Sequence, residues 1–136
     1  MAAEKTELRC LWNAAKHDDV AEIERLLAEG APIDERDGRG YTPLMLATYA
    51  GHQRAFDLLI RRGANPNSRD KAGNTVLMGA AFKGHGTMVT TLLALGADPR
   101  ARNHGGLDAR GFATMFGRAE VVTLLAECTP CVGARC

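Results

Sequence analysis

Three of the four cysteines in this 136-residue chain crowd into its last nine residues: Cys128, Cys131 and Cys136. The first pair has C-x2-C spacing, so these thiols could join a fourth ligand around zinc, or pair as a disulfide under oxidation. The second C-x-x-C of a closed zinc site is missing, and residues after a last packed element are usually loosely held. Cys10 is expected within the first helix as a small buried hydrophobe. His52 and His85 each follow a glycine, which marks them as structural residues at a helix start, while His17 and His104 stand alone. No metal site is assigned to either set. Catalytic chemistry finds less still. There is no G-x-S-x-G, no phosphate-cradling glycine loop and no pair of carboxylates with an argument for sharing a pocket. The chain reads as a non-enzyme that works without a cofactor.

The elements that would position any site are set by a repeat. Thr42-Pro-Leu-Met-Leu-Ala-Thr-Tyr-Ala-Gly-His52 returns 33 residues later as Thr75-Val-Leu-Met-Gly-Ala-Ala-Phe-Lys-Gly-His85. Leu59-Ile-Arg-Arg-Gly-Ala-Asn-Pro66 returns as Leu92-Leu-Ala-Leu-Gly-Ala-Asp-Pro99. A fixed period of this size means one supersecondary unit stacked on copies of itself. Such stacks offer a long modular surface in place of an enclosed pocket.

Each unit reads as helix, turn, helix and extended loop. Thr42 is a natural N-cap, and Pro43 sits at the first helical position, where its missing N–H costs nothing. Gly51 ends that helix. A second runs from about His52 to Arg61, with Phe56, Leu59 and Ile60 at helical spacing. Asn65-Pro66-Asn67 and the Asp70–Gly73 stretch are turn formers. Shifting the register back by 33 places Leu11, Ala14, Leu26 and Leu27 in a first unit. Shifting it forward places Ala113, Val122 and Leu125 in a fourth. Four units fit between about Thr6 and Glu127. The ends depart from the pattern. Arg9 replaces the capping Thr, so the first helix is expected to begin near Thr6. In the last unit Asp108 can still cap, but Arg110 stands where other units have Leu44 and Leu77. A buried charge there would be costly, so Arg110 is expected to face water and the terminal units to act as caps.

The run Gly40-Tyr-Thr-Pro-Leu-Met-Leu-Ala, then Gly51-His52, Leu58-Leu59 and Gly63-Ala-Asn-Pro-Asn, closely resembles the ankyrin repeat. The likeness covers about 120 residues by this register, and the wording also looks like that of small stand-alone bacterial ankyrin proteins. It implies an all-α solenoid of four helix-turn-helix repeats with short β-hairpin-like loops. The repeats are expected at about 8–40, 41–73, 74–106 and 107–128, forming one domain over 1–128 with a cysteine-containing tail at 129–136. The resemblance further implies a protein partner, held by the loop tips and the concave face of the first helices.

Carried onto this chain, the solvent-facing first-helix positions are Tyr49, Phe82 and Met115, with Lys16 in the same place one unit earlier. Beside them run His17, Ala50, Lys83 and Phe116. A stripe of large apolar side chains marks an interface, although the same rings could instead fill grooves between units. At the loop tips lie Arg39 and Tyr41, then Lys71 and Asn74, then His104. The candidate partner-binding residues are therefore Arg39, Tyr41, Tyr49, Lys71, Asn74, Phe82, Lys83, His104, Met115 and Phe116. Arg36, Arg69 and Arg102 form another ladder, able either to grip carboxylates or to brace the neighbouring turns.

The net charge of +1 conceals an asymmetry: residues 1–37 carry ten Asp/Glu and five Lys/Arg, leaving six and twelve of the totals of 16 and 17 for residues 38–136. The later units would steer toward a partner with an acidic patch. A pI near 7.7 and the lack of a recognition motif point away from nucleic acid. No apolar run approaches membrane-spanning length. The start, Met-Ala-Ala-Glu-Lys-Thr-Glu, shows no secretory pattern, so a cytoplasmic location is expected. The function expected is that of an adaptor, inhibitor or immunity-type factor for a partner protein. The alternatives are a redox- or metal-responsive accessory protein using the terminal cysteines, and a generic scaffold.

Overall fold

A computed structural model describes residues 10–132, with side chains through Ala126. Eight helices and no strand are found among them: α1 Leu11–Lys16, α2 Val20–Ala28, α3 Pro43–Ala50, α4 Gln53–Arg61, α5 Val76–Lys83, α6 Gly86–Ala94, α7 Ala109–Met115 and α8 Ala119–Val132. They form four antiparallel-type pairs whose first helices, α1, α3, α5 and α7, pack in one row, while α2 packs on α4 and α6 on α8. The all-α solenoid expected from the period is what the chain forms. The helix α8 runs through the expected boundary at 128.

The caps explain where the helices begin. Thr42 Oγ1 accepts the Met45 N–H at 3.3 Å, and Thr75 Oγ1 accepts that of Met78 at 3.2 Å. In the last unit Asp108 takes the same role, accepting the Gly111 N–H at 2.8 Å. Each bond satisfies one of the orphan donors of a first turn, worth about 1 kcal/mol. Cys10 departs from expectation. It is extended (φ −72°, ψ 155°) and precedes α1 as its N-cap without a side-chain bond, so it is half-buried outside the helix. The expected start near Thr6, and Arg9, lie outside the described residues.

Helix α4 is capped from the neighbouring unit. Its own N-cap, His52, makes no capping bond. Asp18 of the preceding unit supplies one instead, accepting the Ala55 N–H at 3.0 Å. Asp18 occupies the register position of Gly51 and, like it, is left-handed, with φ 58° against 78°. Aspartate tolerates that region better than most L-residues, and here its carboxylate ties the first unit to the second.

The core is a single cluster running from Leu11 to Leu125, built as ladders at the repeat period. Leu59, Leu92 and Leu125 are buried in successive units, as are Ala47, Ala80 and Ala113. The ladder Leu11, Leu44, Leu77 is buried until Arg110, which is exposed. The fourth helix pair thus presents a charge to water at the register position where the earlier pairs bury a leucine.

The loops repeat as closely as the helices. Asp37, Asp70 and Asn103 each accept two backbone N–H groups from the residues two and four further on, at 2.9–3.0 Å. These side-chain turns close the hairpin-like tips, with one isolated antiparallel bridge between Arg69 and Thr75. Arg36 donates to the carbonyl of Arg69, and Arg69 donates to that of Arg102 at 3.1 Å. Between the two readings of this arginine ladder, Arg36 and Arg69 are thus engaged in bracing the next loop.

Candidate functional site

The candidate surface is built on α3, α5, α7 and the loop tips beside them. Tyr49 and Phe82 do not stand on it as free, solvent-facing rings. Both are half-buried, because each leans onto the next first helix thirty residues ahead. Tyr49 lies over Gly79, so closely that a Cβ built there would fall 1.9 Å from the ring. Phe82 meets Phe112 edge-on, with centroids 6.3 Å apart. Met115 is 62% exposed, next to Phe116 at 45%. The stripe is therefore graded, covered at its start and open at its end. Phe116 returns to the cluster by packing edge-to-face on Phe82 at 4.5 Å.

The loop-tip candidates divide by what else they hold. Asn74 is engaged internally: its amide donates to Asp70 Oδ2 at 3.2 Å, and its carbonyl accepts the Asn103 amide at 2.7 Å. Lys71 Nζ donates to the Gly38 carbonyl at 3.0 Å, bridging two tips, although its side chain is exposed. His104 is exposed while its backbone N–H donates to Ala72 O at 2.9 Å. Arg39 sits 4.9 Å above the Tyr41 ring, and Tyr41 packs edge-on against Tyr49 at 5.5 Å. Lys83 is exposed, with its ammonium 5.2 Å from the Phe82 centroid.

Between these groups lies a cavity of about 340 Å³. It is lined by the rings of Tyr41, Tyr49, Phe82 and Phe112, by Met78 and Gly79, and by the polar residues Asp70, Asn74 and Lys83. Burial, then the charge of Asp70 and the adjacent Tyr41, hold the Tyr49 phenol above its usual range, so it stays a neutral donor. Four members of this cavity were not singled out from the sequence: Asp70, Met78, Gly79 and Phe112. Gly79 is visible as the glycine that replaces Leu46 when the units are aligned. Phe112 stands at that same position one unit later. Asp70 reads as a turn former, which it also is.

The histidine readings hold in geometry. His52 Nε2 lies 2.9 Å from the Lys16 carbonyl, which only accepts, so that nitrogen carries the proton. Arg118 replaces histidine in the last unit and donates from Nε to Phe82 O at 3.0 Å. Burial, with Lys83 and Arg118 nearby, holds His85 below its ordinary pKa.

Among the described residues no group of three His, Cys, Asp or Glu is placed to hold a metal. The side chains of Cys128 and Cys131, and all of Cys136, lie outside the described residues. No described helix is long and apolar enough to cross a membrane.

Comparison with known families returns a match to a model described as ankyrin repeats (3 copies), over residues 11–103. No curated protein matches the chain. The matched segment ends before α7, so the fourth helix pair stands on the geometry above. Ankyrin repeats are generally protein–protein interaction modules and typically non-enzymatic. With the 33-residue ladders, the capped helix pairs and a family match over most of its length, this chain belongs to the ankyrin repeat family.

Proposed function

We propose that this protein binds one cognate partner protein through its first-helix face and loop tips, as an adaptor, inhibitor or immunity-type factor acting in the cytoplasm. The observation that carries the reading is the open end of the aromatic cluster. Phe116 and Met115 are two of the three exposed large hydrophobic side chains among the described residues, and Phe116 packs on Phe82, which in turn meets Phe112. The third, Leu95, stands apart at the end of α6, where a single exposed leucine needs no explanation. Aromatic and Met side chains are enriched at interface cores.

Charge supports the same face. Arg39, Lys71 and Lys83 are exposed beside the aromatics, and residues 38–136 carry twice as many basic as acidic side chains. A partner with an acidic patch is therefore favoured, by steering as much as by contact. Repeating side-chain turns and bridging arginines already fix the loops, so little ordering entropy is lost on association.

Co-purification from the source host tests the reading. The parent protein should retain one stoichiometric partner, while Met115→Ala and Phe116→Ala should weaken that complex by more than about 1 kcal/mol each if they are hot spots. Undiminished capture by both variants, with folding intact, would move the interface elsewhere.

A further inference from the structure

The partner's chemistry can be narrowed from the cavity between α3, α5 and α7, an inference that rests on the interface proposed above. Its walls are four aromatic rings and a methionine, and its volume of about 340 Å³ has room for one large side chain. Two ligand chemistries suit an aromatic-walled site with a carboxylate: a cation held over ring faces, or an aromatic anchor packed edge-to-face.

Three observations favour the aromatic anchor. First, Asp70 is committed to its own turn. Its Oδ1 accepts Ala72 N–H and Asn74 N–H at 2.9 Å, as Asp37 does for the equivalent turn one unit earlier. One oxygen of the carboxylate is therefore taken up by the protein's own turn, without a cationic guest. Second, the protein's own cations already lie on the rings at the rim, Lys83 on Phe82 and Arg39 on Tyr41. A cationic guest would meet them as like charges. Third, the Tyr49 ring, seated on Gly79, lines the cavity with the edge-on pair Phe82 and Phe112, and these rings give a guest ring edges and faces to pack on.

The polar edge then selects among aromatics. Asp70 Oδ2 accepts only the Asn74 amide at 3.2 Å, which leaves acceptor capacity for an N–H or O–H donor. A tryptophan or tyrosine supplies that donor and a phenylalanine does not. Lys83 at the cavity's edge, with Lys71 and Arg39 beyond it, calls for carboxylates flanking the anchor. We infer that the cavity receives a tryptophan or tyrosine side chain of the partner, presented within an acidic segment.

The test uses the full chain, labelled with nitrogen-15, titrated by three capped pentapeptides: Glu-Asp-Trp-Glu-Asp, the same peptide with alanine for tryptophan, and Lys-Lys-Trp-Lys-Lys. The acidic tryptophan peptide should shift the amides of Tyr49, Gly79 and Phe82, and bind at least about tenfold more tightly than either other peptide. Lys83→Glu, an exposed change that leaves packing intact, should weaken it about fivefold or more, and Phe82→Ala should weaken it further. Equal or tighter binding by the lysine peptide overturns the inference, as does binding whose shifts fall away from the cavity, or no binding by the acidic peptide at all. If the inference fails while Met115→Ala and Phe116→Ala still weaken partner capture, the interface stands and only the anchor is wrong. If capture is also unaffected, the interface itself has failed.

Discussion

Replacing Gly79 with alanine places a methyl group where the Tyr49 ring now lies. The added Cβ would stand 1.9 Å from Tyr49 Cε1, 2.6 Å from Cδ1 and 3.0 Å from Cζ. Carbon atoms settle near 3.5 Å, so the ring must withdraw by roughly 1.5 Å. That overpacking costs about 1–3 kcal/mol, and the Tyr41 edge contact at 5.5 Å is disturbed with it. Against this, alanine in a helix interior is favoured over glycine by about 1 kcal/mol. The net expectation is destabilisation by about 1 kcal/mol in the parent. In a Tyr49→Ala background the clash is gone and only the helical preference remains, so the same change should stabilise by about 1 kcal/mol. The coupling between the two positions is then about 2 kcal/mol. Urea unfolding of the four proteins measures it, with unchanged m-values showing that the same surface is exposed each time. Stabilisation of the parent by Gly79→Ala, with coupling below about 0.5 kcal/mol, would refute the seating of Tyr49 on α5.

Three further outcomes follow from the ties between units. Asp18→Ala should cost about 2 kcal/mol in urea unfolding, losing both the cap on α4 and the tolerance of a left-handed backbone; Asn, which keeps both, should cost much less, and equal costs would contradict the cross-unit cap. Arg69→Met should destabilise by about 1 kcal/mol because it unties the Arg102 and Gly73 carbonyls, while Arg102→Met, at an exposed side chain, should change little. His85 is held below its unfolded pKa, so the unfolded chain binds the extra proton: its contribution is full above about pH 6.5 and is lost as pH falls through the folded value. His85→Gln should flatten the fall in urea midpoint between about pH 7 and 5, and an unchanged slope would remove His85 as its source.

The repeat made the fold legible because its ladders are local and redundant. Thr42 and Thr75 announce caps, Leu59 and Leu92 announce a buried face, and Arg110 announces an exposed position. Each is decided by burial and backbone chemistry that a single residue type reveals. The site was legible in position more than in character. Tyr49, Phe82 and Met115 share a register, but the exposure of Tyr49 and Phe82 depends on what the next unit places thirty residues ahead: Gly79 or Phe112. That relation crosses between units and does not follow from one unit's pattern. Asn74 and Lys71 show the same limit, since their bonds to Asp70, Asn103 and Gly38 appear only when the loop tips are stacked. Asp18 departs from the glycine of its register position for a reason visible only in Ala55 of the neighbouring unit.

The claim that matters most is that the partner is held on the first-helix face. A photo-reactive amino acid placed singly at Lys83 or Phe116 on that face, and at Arg61 or Thr90 on the exposed side of the second helices, reads it directly. After irradiation in extracts of the source host, Lys83 and Phe116 should capture the same single protein, and Arg61 and Thr90 should not. Capture from Arg61 or Thr90 alone would contradict the account.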